Sequence, residues 1–181
     1  THSAIDDLES TYVKYNTGNL VIDSFLTNYD TVYEANHIHF SVHLNVDCGQ
    51  IPIKDYDLCI VLGNLLDNAL QANDKIKILE REVLIEIETT ENSKFRIHSE
   101  NPLPEHDFDV QKNVLHHGYG LENMKKVVSE NHGFVTIRTA EYFVIDILIL
   151  DHNVRGDITD FVNGGPIRCC FSGVGYGHTL G

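Results

Sequence analysis

The stretch Asp57-Leu-Cys-Ile-Val-Leu-Gly-Asn64-Leu-Leu-Asp67-Asn68-Ala69-Leu-Gln71-Ala72 carries two patterns at once. At about 100° per residue, Leu58, Leu62, Leu65, Leu66 and Ala69 fall on one side of a helix, and Asp57, Asn64, Asn68 and Gln71 on the other. Asn side chains compete for backbone hydrogen bonds, so two of them one turn apart in a helix interior carry a propensity cost. A solvated polar stripe is the ordinary explanation of such a face; a row of amide ligands is the functional one. The helix is expected to run from about Asp55 to Asn73.

Working outward, Phe25, Leu26, Tyr29, Val32 and Tyr33 recur at helical spacing between Leu20 and Ala35, with Asn19 as N-cap. Ile38, Phe40, Val42, Leu44 and Val46 then alternate with polar residues, the period of a half-solvated strand. Beyond the central helix, Val83 to Thr89 and Lys94 to Ser99 read as a hairpin. Asn101 to His117 lacks period and reads as a long loop, a class that is commonly functional. Leu121 to His132 reads as a helix with Gly133 as its stop, and Phe134 to Thr139 with Tyr142 to Leu150 as a second hairpin. Hairpins separated by helices point to an α+β fold, a two-layer sandwich whose mixed, mostly antiparallel sheet is covered by helices on one face.

Composition narrows the function classes. The chain has 181 residues, 42% of them hydrophobic, which suits one compact core with an appended terminal element. A formal net charge of -14 and the lack of a Lys/Arg cluster argue against nucleic-acid binding, because phosphate neutralisation needs clustered cations. A nucleotide remains possible, since local N–H groups and a metal ion set the field at phosphates. Cys48, Cys59, Cys169 and Cys170 show no metal-ligand spacing, which fits a reducing, cytoplasmic setting. The apolar run Tyr142 to Leu150 is broken by Asp146 and too short to span a bilayer.

A second signal lies at His116-His117-Gly118-Tyr119-Gly120-Leu121, which leads straight into a helix. Glycines permit tight backbone geometry there, and the first N–H groups of a helix have no intrahelical partners, so such a terminus attracts phosphate. Two glycines before a helix are weak alone; with the Asn64/Asn68 helix they are much stronger. The pair resembles the GHKL ATPase superfamily of gyrase, heat-shock chaperones, histidine kinases and mismatch-repair proteins. Its N box is similar to Asn64-Leu-Leu-Asp67-Asn68-Ala69, and its second glycine box to Gly118-Tyr-Gly120-Leu121. Within it the chain looks most like sensor kinases of the Gram-positive peptide-pheromone receptor type, from Asn16-Thr-Gly-Asn19 to Asn131-His-Gly133.

That resemblance implies a Bergerat-type, histidine-kinase-like ATPase fold over residues 17–150. Residues 1–16 would be the end of a dimerisation helix that carries the phosphoacceptor, and 151–181 an extension of unknown role. It implies ATP and Mg²⁺ as cofactors, with Asn68 as metal ligand and Asn64 lining the same site one turn earlier. The chaperone and gyrase branches place a water-activating Glu at the position of Asn64; an amide cannot act as that base, which favours transfer over hydrolysis. Gly118, Tyr119, Gly120 and Leu121 would hold phosphates, under a lid from Leu103 to His117. Lys112 and His117 are further phosphate contacts or, alternatively, exposed loop residues.

One departure matters. The superfamily's first glycine box, Asp-x-Gly-x-Gly, is replaced by Ser99-Glu100-Asn101-Pro102. Asn101 is the expected adenine contact, next to Pro102, because its amide oxygen can accept from the adenine amino group as Asp would; Glu100 is the reserve. The histidines are scattered without metal spacing, and none sits in a recognisable phosphoacceptor helix. The implied partners are a phosphoacceptor histidine domain of the same protein and a response regulator, in a dimeric, membrane-anchored parent. Rival readings are a regulatory module with weak or no nucleotide binding and a serine kinase of the anti-sigma-factor type.

Overall fold

The computed structural model describes residues 14–90, 94–104 and 119–151. Helix α1, Leu20–Ala35, begins where the Asn19 side chain accepts from the Ile22 N–H at 3.0 Å, and it ends before His37 in the left-handed region. Strand β1, His39–Asn45, leads through a short 3₁₀ turn to α2, Asp55–Asn73. Asp55 and Asp57 in the first turn of α2 suit the positive end of its dipole. Strands β2, Glu82–Thr89, and β3, Lys94–Pro102, are antiparallel neighbours. Helix α3, Tyr119–Glu130, precedes β4, Gly133–Thr139, and β5, Tyr142–Leu150.

The five strands form one sheet in the order β1-β2-β3-β5-β4. Only β1 runs parallel to its neighbour, with α2 as the crossover between β1 and β2; the other pairs are antiparallel. Val83, Ile85 and Ile87, then Phe95 and Ile97, then Phe143, Ile145, Ile147 and Ile149 share one face through the register. That face and the apolar stripes of all three helices make a single core. The structure is therefore the mixed α+β sandwich expected, with its helices on one side of the sheet.

Two boundaries differ from the sequence reading. Asn101 and Pro102 still belong to β3, because they pair with Phe143 and Tyr142 of β5; a proline at the last position of a strand loses little ladder pairing. The left-handed residue after α3 is His132, with φ 57°, and not Gly133. Gly133 is needed for space instead: a Cβ there would lie 2.6 Å from Val128 Cγ1 and 2.8 Å from the Leu148 carbonyl oxygen. Among the described residues no helix is long and apolar enough to cross a membrane.

Candidate functional site

The two stretches singled out in the sequence meet. Helices α2 and α3 run antiparallel, tied at one end where Asn131 Nδ2 donates to Asp57 Oδ2 at 3.1 Å. At the other end, a Cβ on Gly120 would lie only 2.6 Å from Asn64 Oδ1, so the start of α3 approaches α2 as closely as glycine permits. Asn64 lines a concavity with Tyr119, Gly120, Glu122, Asn123 and Lys126. Its own amide nitrogen donates to the Ile60 carbonyl at 2.7 Å, a back-bond within the helix that leaves the oxygen facing Gly120.

One turn on, Asn68 lines a second pocket with Asn101, Pro102, Gln71, Lys75 and Phe143. Asn101 is 4% exposed, and its Nδ2 donates to the Pro102 carbonyl at 3.1 Å; its side-chain oxygen is the accepting end of the amide. Asn68 Nδ2 is buried and has no hydrogen-bond partner among the described residues. A buried amide left so costs about 1–3 kcal/mol, so the helix carries a polar group that its own fold does not satisfy. An amide can present either end by turning about its last torsion, so Asn68 can offer oxygen to a hard cation or nitrogen to a phosphate oxygen.

Strand alternation decides between the two adenine candidates. Asn101 is on the helix-covered face with Ile97 and Ser99, whereas Glu100 is on the opposite face, where its Oε1 meets His98 Nε2 at 2.9 Å. The reserve choice of Glu100 is thus corrected: its carboxylate is one sheet thickness from the pocket. Leu121 is buried in the core, so its side chain takes no part in the concavity, whereas Tyr119 is 96% exposed. Lys112, His117 and Gly118 lie outside the described residues.

The pocket also contains residues to which the sequence reading gave no role. Lys75 stands just beyond the end of α2 at Asn73, so the helical periodicity that singled out Asn64 and Asn68 did not reach it. Phe143 enters because it directly opposes Asn101 across β3 and β5, which only the register reveals.

The other face of the sheet holds a separate cluster. Asp146, 6% exposed, accepts from His98 Nδ1 at 2.8 Å, from Arg96 Nη2 at 2.8 Å and from Arg138. Arg96 Nη1 also meets Glu88 at 3.2 Å. Burial works against the charge on Asp146, but the hydrogen bond and charge of His98, with Arg96, outweigh it and lower its pKa. Burial likewise opposes protonation of His98, yet Asp146 and Glu100 prevail and raise its pKa.

A five-stranded mixed sheet packed against helices is the fold shared with the histidine-kinase ATPase domains. Residues 53–150 match the family model of the GHKL domain, and the chain belongs to that family. Among solved structures, the catalytic domain of histidine kinase ThkA in a nucleotide-free form superposes with a TM-score of 0.57 at 17% identity, covering 72% of this chain and 91% of that one. Acinetobacter baumannii histidine kinase AdeS gives 0.55 at 15% identity, over 74% of this chain and 64% of that chain. The mycobacterial sensor histidine kinase MprB gives 0.50 at 17% identity, over 71% and 92%. At these identities the likeness is one of fold. No curated protein sequence matches the chain.

Proposed function

We propose that this chain is the ATP-binding catalytic domain of a two-component sensor histidine kinase, of the peptide-pheromone receptor type that its motifs resemble. The observation that carries this reading is the convergence of Asn68 and Asn101, which are 33 positions apart in sequence, on one pocket beside the Asn64–Gly120 contact. Asn101 accepts from the adenine amino group, and the Phe143 ring forms an apolar wall for the base. Gln71 of α2 and Lys75, just beyond its end, add polar groups to the pocket, and the first N–H groups of α3 face the phosphates. Residues 17–150 are the catalytic domain; the expected dimerisation-helix end over 1–16 and the extension over 151–181 lie almost wholly outside the described residues.

Among the described residues no cluster of three His, Cys, Asp or Glu is placed to hold a metal. Mg²⁺ takes one or two protein oxygens, and otherwise water and phosphate, so Asn68 alone fits as its protein ligand. The ion would neutralise charge on the phosphates. The protein's own part is positioning: it holds the triphosphate so that a histidine nitrogen of the dimerisation domain forms a bond to the γ-phosphorus. The bond from that phosphorus to the β,γ-bridging oxygen breaks, and ADP leaves with the electron pair. A response regulator then takes the phosphoryl group. The domain would lie on the cytoplasmic side of a membrane-anchored, dimeric parent.

Titration calorimetry with Mg²⁺ and a non-hydrolysable ATP analogue tests the reading, and heat at micromolar ligand is expected. No heat at high micromolar ligand would overturn it in favour of a regulatory module. The continuation of β3 as paired strand through Pro102, where the superfamily has its first glycine box, is the observation that favours that second reading. With a matched dimerisation domain, Asn68→Asp should cut phosphotransfer by at least about tenfold, since a second negative charge beside the phosphates alters metal and phosphate binding together. Unchanged transfer would remove the metal assignment, and an acid-stable phosphoproduct would point to a serine kinase.

A further inference from the structure

Two tyrosines of α1, one turn apart, reach two consecutive residues of α2. The Tyr33 hydroxyl donates to the Leu66 carbonyl oxygen at 2.8 Å, and the Tyr29 hydroxyl donates to Asp67 Oδ1. The next residue is Asn68. Tyr33 is fully buried and Tyr29 nearly so, and their rings meet edge to face with centroids 5.6 Å apart. Phe25 stacks on Tyr29 and Phe40 of β1 packs edge-on against Tyr33, so neither phenol can swing away without disturbing an aromatic row.

Asp67 itself is solvent-exposed. An exposed carboxylate has little to gain in stability from one hydrogen bond, because water would serve it almost as well. What the bond does is geometric. It joins α1 to α2 at the residue before Asn68, and it holds the Asp67 carboxylate on the α1 side of the helix. A ligand site tolerates only about 10–20° of misorientation before contacts weaken. Burial, then the bond to Asp67, raises the Tyr29 pKa, so the hydroxyl keeps its proton and stays a donor.

We propose that Tyr29 is a positioning residue for the nucleotide site, acting through Asp67 to set the orientation of Asn68. The inference rests on the ATP-binding reading above, and its test separates the two. The whole chain is titrated calorimetrically with Mg²⁺ and a non-hydrolysable ATP analogue, and each variant's melting temperature is measured alongside. Tyr29→Phe keeps the ring and the aromatic row but removes the donor. Its dissociation constant should rise about fivefold, the factor that corresponds to the net worth of one hydrogen bond. Its melting temperature should move by no more than about 2 °C.

Asp67→Ala should weaken binding as much, and the double variant no more than either single one, because both remove the same bond. Asp67→Asn should restore near wild-type affinity, since its amide oxygen can still accept from the phenol. A wild-type chain that binds, with a Tyr29→Phe variant that binds equally well, overturns this inference and leaves the ATP reading intact. Asp67→Asn as damaging as Asp67→Ala also overturns it, because the carboxylate charge and not the bond would then matter. A wild-type chain that gives no heat sinks the ATP reading and this inference together. Should Tyr29→Phe fail to fold, the surface variants Asp67→Ala and Asp67→Asn decide alone.

Discussion

The two faces of the sheet bury polar groups in opposite ways. On the open face, Asp146 is enclosed by three cationic partners, and His98 has a carboxylate at each ring nitrogen. Arg96 leaves its Nε unpartnered there, but both terminal nitrogens are engaged. On the helix-covered face the polar groups stand at the rim of the core: Asn68 has a buried nitrogen without a partner among the described residues, and Asn101 lines the same pocket with its amide nitrogen bound only to the neighbouring Pro102 carbonyl. A network closed on itself holds the fold together. One that is left open is where a ligand can supply what the fold does not.

The largest effect that would test this contrast is on the closed side. Asp146→Ala leaves His98, Arg96 and Arg138 facing one another without their shared counter-ion. Breaking a buried ionic network on one side costs about 3–5 kcal/mol. Denaturant unfolding should register a loss in that range, with the nucleotide affinity of the remaining folded protein unchanged. A loss below about 1 kcal/mol would mean that the cluster is no more than a solvated surface pair.

Both faces were partly legible in the sequence. The bounds of α1 and α2 were readable because apolar periodicity agrees with an Asn cap in α1 and with the acidic first turn of α2. The end of β3 was not, since Asn101-Pro102 reads locally as a loop and only pairing with Tyr142 and Phe143 carries the strand through it. Asp146 looked like an interruption of an apolar run. It is the one position in β5 whose outward side chain meets the cations of both neighbouring strands, Arg96 and Arg138. Asn68 and Gly120 could be placed through their resemblance to family motifs, but Phe143 could not, because cross-strand register is absent from a single sequence. Glu100 was separable from Asn101 by alternation alone, had the strand been followed to its end.

A smaller effect follows from the titration of the same network. The pKa of His98 is raised, so its contribution to stability is complete below the unfolded value and fades as pH rises through the folded one. The pKa of Asp146 is lowered, so its contribution is complete above the unfolded value and fades as pH falls through the folded one. Together they give the network its greatest effect between about pH 4 and pH 6.5, the ordinary values of the two groups. Urea midpoints should therefore fall from pH 6 to pH 8.5 in the wild type. In His98→Gln the fall over the same interval should be shallower, and an identical slope would show that His98 stays neutral in the folded protein.

The smallest effect on stability is expected where the functional claim is strongest. Asn68→Ala removes a buried nitrogen that has no partner among the described residues and replaces a mediocre helix former with the best one. Relief of the unsatisfied group, about 1–3 kcal/mol, opposes the loss of side-chain contacts, and helix propensity adds about 0.5 kcal/mol in favour. The sum should lie within about 1 kcal/mol of zero, or be stabilising, while the heat of binding a Mg²⁺-loaded ATP analogue disappears. That split separates the faces: Asp146 is expected to matter for folding and Asn68 for binding. A marked destabilisation by Asn68→Ala, comparable to that of Asp146→Ala, would place the amide among the structural groups and remove the distinction from which the site was inferred.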